Sequence, residues 1–187
     1  MDWYIVGGGP SLRGFDFARL DGRNVIAVNR AYEVLPDAPY IYFSDYRFWG
    51  WHQDGLLAHK GVKVTGSPIK IKHPDVVQYK LTGYRGIDLR PGKLRGGNSS
   101  GYAAINLAVH LRATKIYLLG FDMCAPEGVT HWHSGHPIKT KTTVYADNML
   151  RYFASATKAL DCLGIKVYNV GIDSKIDCFE KIPLSKI

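Results

Sequence analysis

An α/β fold built on a mainly parallel sheet is what this sequence predicts, and three observations predict it. Short β-rich runs alternate with helical patterns along the chain, the signature of βαβ units. "VIAV" at 25–28 and "KIYLL" at 115–119 are almost continuously apolar, as strands are when helices cover both faces of a sheet. The first run is followed at once by three glycines, "YIVGGGPSL" at 4–12, where the backbone can turn sharply at a strand end.

Taken in order, the predicted strands fall at 3–6, 24–28, 40–43, 63–65, 115–119 and 166–169. A helix over 99–111 follows "GGNSSG". Its residues from Tyr102 to Val109 are apolar on nearly every side, which predicts burial all round. A second helix over 144–163 carries Tyr145, Met149, Tyr152, Phe153, Ala156, Leu160 and Leu163 at helical spacing, and Gly164 closes it. The stretch 61–97 is rich in Gly, Pro and Lys without clear periodicity. It reads as an insertion of short strands and loops in a single domain over 1–187, with a short His-rich lid loop at 123–140. The ending "DCFEKIPLSKI" reads as a chain end docked on that domain.

Length and composition narrow the class. A chain of 187 residues can bury a sizeable core. The three cysteines, Cys124, Cys162 and Cys178, are odd in number and scattered, which argues against a disulfide framework and for a reducing compartment. No apolar run approaches the roughly 20 residues that span a bilayer, and the N-terminus lacks a signal-peptide pattern. The expectation is a cytoplasmic protein with no transmembrane segment. Of the net charge of +8, seven units come from residues 60–95, where Lys60, Lys63, Lys70, Lys72, Lys80, Arg85, Arg90, Lys93 and Arg95 face only Asp75 and Asp88. Such a segment suits a polyanionic acceptor, such as nucleic acid or a phosphorylated glycan, or serves as a solvated face. Its aromatics are only Tyr79 and Tyr84, too few for a base-stacking platform.

The candidate site lies at the strand ends. Gly7, Gly8, Gly9, Pro10 and Ser11 follow the first strand, and a helix beginning soon after would turn free N–H groups toward a phosphate. The loop is neither a dinucleotide fingerprint, because Leu12 stands where the last glycine would, nor a P-loop, because no Gly-Lys-Ser/Thr follows. The other strands also end in small polar or acidic residues: Asn29, Ser44 with Asp45, and Gly120 with Asp122. The buried helix begins with Ser99, Ser100 and Gly101. Together these make the composition of a nucleotide pocket. "THWHSGHP" places His131, His133 and His136 within six residues, open to three readings: metal ligands with Asp122, a general base, or a polar loop. Trp49 and Trp51 in "RFWGWH" read as packing residues at a lid or an oligomer contact, compatible with a homo-oligomer; His110 and Cys124 read as structural.

The ordered landmarks "GGGPSL", "VN", "YFSD", "SSGYAAINLAVHLRATKIYLLGFDM", "SGHP" and "LGIKVYNV" resemble bacterial CMP-sialic-acid-dependent sialyltransferases. They also resemble relatives of archaeal 6-hydroxymethylpterin diphosphokinase. The likeness covers both ends of the chain and not the basic segment. It implies a modified Rossmann-like sheet with helices on both faces and a nucleotide lying across the strand ends. It implies donor-phosphate contacts from Gly7, Gly9, Pro10, Ser11 and Leu12, contacts from Asn29, and from Ser44 or Asp45 where that family has Asn. Ser99, Ser100 and Gly101 match its Thr-Ser-Gly, and His136 matches its catalytic base. That family's lid has two tyrosines on the leaving phosphate; residues 123–133 here have none, and Trp132 is their only aromatic. Three functions remain open. The first is a transferase using a nucleotide or nucleotide-sugar donor, glycosyltransferase-like, with His136 as base and with His133 and Asp122 beside it. The second is a magnesium-dependent diphosphokinase with Mg2+ on Asp45 and Asp122. The third is a non-catalytic nucleotide- or nucleic-acid-binding protein.

Overall fold

The structure, a computed structural model, describes residues 1–133 and 145–187. Along the chain run β1 (Asp2–Val6), β2 (Val25–Val28), β3 (Tyr40–Phe43), α1 (Tyr46–Ala58), β4 (Val62–Thr65) and β5 (Val76–Gln78). There follow β6 (Lys80–Leu81), β7 (Lys93–Leu94), α2 (Ser100–His110) and β8 (Lys115–Leu119). After a π-helical turn (Tyr145–Leu150) come α3 (Arg151–Phe153), a 3-10 turn (Ala154–Ala156), α4 (Thr157–Cys162), β9 (Lys166–Val170) and β10 (Glu180–Ile182). Among the described residues, eight strands form one sheet in the order β10-β9-β8-β1-β2-β3-β4-β5, every pairing parallel. The α/β architecture predicted from the sequence is the one observed.

Strand alternation divides the core between the two faces. Trp3 and Ile5 of β1, Ile26 and Val28 of β2, and Ile116 and Leu118 of β8 join α2 and the α3–α4 stretch on one face. Tyr4, Val6, Val25, Ala27 and Leu119 pack on the other against α1 and the 3-10 turns after β1 and β2. No α-helix follows the glycine triplet. Pro10–Leu12 is a single 3-10 turn, so the helix dipole expected over that loop is not there.

The stretch 61–97 does two jobs. β4 and β5 extend the main sheet, while β6 and β7 pair separately and lie over the outside of α2. That cover explains why α2 is apolar all round. Asn106, fully buried, accepts from the Asp88 and Arg95 N–H groups, both at 2.8 Å, and donates to the Asp88 carbonyl at 2.9 Å. His110 Nε2 lies 2.9 Å from both the Asp88 and Lys93 carbonyls, a satisfied structural histidine. The tail is more than a docked end, since β10 pairs with β9 as the last strand of the sheet. No helix among the described residues is long and apolar enough to cross a membrane.

The basic segment does not form one surface. Lys63 is buried with its ammonium on the His59 carbonyl, Arg90 pairs with Asp88 at 2.6 Å, and Arg95 donates to the Thr82 carbonyl at 2.6 Å. Lys70 and Lys72 line a hollow beside Tyr46 and Trp49, and Lys80 sits opposite Lys93 in the small ladder.

The C-terminal helical stretch is fixed to α2 through Phe153, whose ring meets Tyr102 edge-on at 5.5 Å and Phe121 at 6.4 Å. Phe153→Ala should cost about 3–5 kcal/mol, the range for a buried aromatic. Urea unfolding of both proteins measures it; a loss below about 1 kcal/mol would show that this contact does not hold α2 to the helices after it.

Candidate functional site

Strand order dictates where a cleft opens. β2 lies on one side of β1 and β8 on the other, so the chain leaves β1 in one direction and later returns on the opposite side. At such a switch point the loops after the two central strands diverge, leaving a crevice at their carboxyl ends. A cavity of about 690 Å3 lies there.

Its floor is the glycine loop after β1 and the loop after β8, which meet backbone to backbone. Gly7 N–H donates to the Leu119 carbonyl at 2.8 Å and Gly9 N–H to the Gly120 carbonyl at 2.9 Å. Ser11 donates to Asp122 Oδ2 through its hydroxyl at 3.0 Å and its N–H at 3.3 Å. A β-carbon on Gly9 would stand 1.8 Å from Asp122 Oδ2, which requires glycine there. The amides of Gly7, Gly9 and Ser11 are therefore spent inside the protein. Of the amides expected to hold phosphate, Gly8's is the one in the triplet that makes no hydrogen bond among the described residues.

The wall is the N-terminus of α2. Ser99 is its N-cap by backbone conformation, but no side chain among the described residues caps the helix, so the first-turn N–H groups are left for a ligand or water. By contrast, Asp45 caps α1, accepting from Arg47 N–H at 2.9 Å. Its carboxylate also takes the Arg47 guanidinium at 2.6 to 3.1 Å. Ser44 bonds the Tyr42 hydroxyl at 3.2 Å.

Of the predicted residues, Gly7, Gly8, Gly9, Asn29, Ser44, Asp45, Ser99, Ser100, Gly101, Gly120, Asp122 and His131 share this cavity. Pro10 and Ser11 do not line it; Ser11 acts through Asp122. His133 lines a second, adjoining cavity, its ring 5.2 Å from that of His131. His131 lies on Gly8 and 2.9 Å from the Thr130 hydroxyl, and Trp132 straps the same loop down through its backbone N–H to the Gly8 carbonyl at 3.0 Å. Gly135 and His136 lie outside the described residues.

The sequence did not single out Leu81, Gly83, Asn98, Met123, Tyr145 and Met149 as lining residues, nor Tyr84 and Cys124 as members of the site. Tyr145 and Met149 come from the π-helical turn, and Tyr145 donates to the Thr130 carbonyl at 3.2 Å. Backbone strain marks the same place: of the four non-glycine residues with positive φ among the described residues, Asn29, Asn98 and Met123 line the cavity.

Electrostatically, no Lys or Arg lines the cavity among the described residues, and the two carboxylates are Asp45 and Asp122. Burial raises the Asp122 pKa above the ordinary carboxylate value, against the lowering effect of the Ser11 hydrogen bonds. Burial also raises the Tyr145 hydroxyl and the Cys124 thiol, with Asp122 adding to both. Among the described residues no group of three or more His, Cys, Asp or Glu is placed to hold a metal ion.

No family model matches the chain, and no curated protein matches it. Among solved structures it is similar to the sialyltransferase CstII from Campylobacter jejuni, solved in complex with a substrate analogue, CMP-3FNeuAc. The TM-score is 0.53 at 13% identity, over 97% of this chain and 85% of that one. The likeness is one of fold.

The Asp122 carboxyl makes a pH prediction. A carboxyl whose native pKa lies above its unfolded value binds its proton more readily when folded, so its contribution to stability falls as pH rises from the ordinary carboxylate value upward. Asp122→Asn keeps an acceptor for Ser11 and removes that slope. The stability of the Asn variant relative to wild type should therefore rise between about pH 3.5 and 7 in urea unfolding. A constant difference across that range would contradict the burial effect.

Proposed function

We propose that this protein is a glycosyltransferase-like enzyme that takes a sugar from a nucleotide-linked donor, a CMP-sugar in chemical class, and passes it to an acceptor hydroxyl with inversion. The observation that carries the reading is the uncapped start of α2 facing Gly8 across a switch-point cavity. A helix N-terminus and a free main-chain amide favour an anion without any cationic side chain. The fold likeness to a sialyltransferase solved with a CMP-linked analogue supports the same class of donor.

Charge separates this reading from the diphosphokinase. A nucleoside triphosphate brings several negative charges into a cavity that already holds two carboxylates and no described Lys or Arg, whereas the phosphodiester of a nucleotide-linked sugar brings one. Asp45 is occupied by Arg47 and Asp122 by Ser11, so this donor set does not fit a magnesium site, and the reaction is written without one.

In the proposed step the acceptor oxygen attacks the anomeric carbon from the face opposite the phosphate. The carbon–oxygen bond to phosphate breaks, its electron pair leaves on the phosphate oxygen, and the hydroxyl proton passes to an imidazole. The resemblance assigns that base to His136; the cavity-lining position of His131, five residues earlier, supports a base from this segment. The first-turn amides of α2 and the Gly8 N–H stabilise the departing phosphate.

The amide role can be tested apart from the fold. Ser100 is the first helical residue, where proline is tolerated, and Ser99 has the extended backbone that a following proline prefers (φ −150°, ψ 133°). Ser100→Pro removes one N–H and should weaken CMP binding by about 10-fold or more, while Ser100→Ala, which removes only the hydroxyl, should cost less. Calorimetric titration reads both, and equal affinities would defeat the amide role. His136→Ala should lower turnover by about 10²–10⁴ with CMP affinity retained. ATP binding tighter than CMP and abolished by chelator would instead establish the kinase reading.

A further inference from the structure

The donor cavity has a neighbour. A second cavity of about 200 Å3 shares Gly8, Val28, Asn29, Asp45, Ser100 and His131 with it. The two are halves of one cleft, divided where the Gly8 amide, the start of α2 and His131 meet. A group-transfer enzyme needs two reactants on either side of such a boundary.

What the second half can bind follows from its own walls. Trp51 stands on α1 with 46% of its surface exposed, unlike Trp49, which is buried; the sequence read both as packing residues, and the structure separates them. The Arg47 guanidinium carbon lies 5.6 Å from the Trp51 ring centroid. An indole held from one side by a cation and half exposed offers a flat apolar platform bordered by hydrogen-bonding groups.

The charges here are matched. Arg30 gives both arms to Glu33 at 2.8 Å, and Arg47 grips Asp45. His52 is held at 3.1 Å from the Tyr32 hydroxyl, and burial lowers its pKa, which favours the neutral ring. An incoming carboxylate or phosphate would meet arginines whose charge Glu33 and Asp45 already offset. A hydroxyl-bearing neutral molecule suits such pairs, because a paired carboxylate can still accept a hydrogen bond from a hydroxyl and a guanidinium edge can still donate one to it. Lysines of the segment that suggested a polyanionic acceptor are elsewhere: Lys70 and Lys72 flank Tyr46 and Trp49 on a different face of α1 from Arg47, Trp51 and His52.

We infer that this second cavity is the acceptor subsite and that it takes an uncharged carbohydrate, its ring laid on Trp51 and its reacting hydroxyl directed to the boundary at Asn29, Ser100 and His131. The inference rests on the transferase reading for the word acceptor, but the binding it asserts can be measured without turnover.

Saturation-transfer NMR on the full chain, with neutral methyl glycosides of galactose, glucose and N-acetylglucosamine, and with methyl galacturonoside as the charged counterpart of the first, provides the test. Transfer to at least one neutral glycoside, reduced more than fivefold in Trp51→Ala and restored in Trp51→Phe, with the galacturonoside weaker than its neutral twin, is the expected result. Trp51 is exposed, so the alanine variant should fold, and unchanged CMP affinity in it would confirm that the donor half is intact. No transfer to any of the three, equal transfer in Trp51→Ala, or stronger transfer to the galacturonoside overturns the inference. CMP titration of the wild type reports separately on the donor reading: CMP bound with no neutral glycoside bound sinks this inference alone, and CMP unbound sinks the donor reading.

Discussion

The close approach of two backbones at the centre of the sheet governs most of what this protein can do. The loops after β1 and β8 touch through Gly9 N–H and the Gly120 carbonyl, with Gly120 at φ +71° and Asp122 pressed against the space a Gly9 side chain would need. Glycine is required there by distance, because any β-carbon at position 9 would overlap the Asp122 carboxylate. The contact closes the bottom of the switch-point crevice and consumes polar groups that could otherwise have served a ligand. It also buries Asp122 under Ser11, which makes that carboxylate part of the floor.

Because the floor uses up the amides of Gly7, Gly9 and Ser11, the helix start becomes the principal electropositive element. That transfers importance to whatever holds α2 in place. The helix is apolar on all sides because the β6–β7 ladder covers its outer face, and Asn106 and His110 bind that cover to it through five hydrogen bonds to Asp88, Lys93 and Arg95 main-chain atoms. A segment rich in Gly, Pro and Lys thus fixes the N-terminus that faces the cleft and supplies Leu81, Gly83 and Tyr84 to its wall. Among the described residues, the chain's least periodic stretch positions its most buried helix.

This explains which parts were legible in the sequence. Strands at the middle of a two-sided parallel sheet must be continuous apolar runs, so β3 and β8 are predicted to the residue, and β2 and β9 to within one. Edge strands have no such pressure: β5 and β10 are short and half exposed, and they leave no periodic trace. The clustering of Asn29, Asp45, Ser100 and Gly120 could be read because strand ends converge wherever strands are parallel. What could not be read is which amides were free, since that depends on how closely the β1 and β8 loops pack. Nor could the division of labour between Trp49 and Trp51, two residues apart on α1, be foreseen without knowing that the loop after β4 covers one and leaves the other open. Tyr145 and Met149 were recognised as helical, but their facing the cleft depends on a π-turn that ordinary 3.6-residue periodicity does not describe.

Charge placement carries the last step. A protein with a net charge of +8 would be expected to bind an anion through its lysines, yet the central cavity among the described residues has none. Exposed lysines attract any polyanion and lose that attraction as salt screens them. Main-chain amides at a helix start, set in a sheltered cleft, act over a few ångströms on one group in one orientation and are screened far less. Selectivity for a single esterified phosphate is better served by the second arrangement, since cations lining the cleft would also admit phosphates of higher charge. The paired arginines of the adjoining cavity obey the same rule: each is matched by a carboxylate, so the cleft offers hydrogen bonds without net attraction for acids. Electropositivity supplied by backbone, and side-chain charge cancelled locally, are what the proposed donor phosphate on one side of His131 and the proposed uncharged acceptor on the other would require.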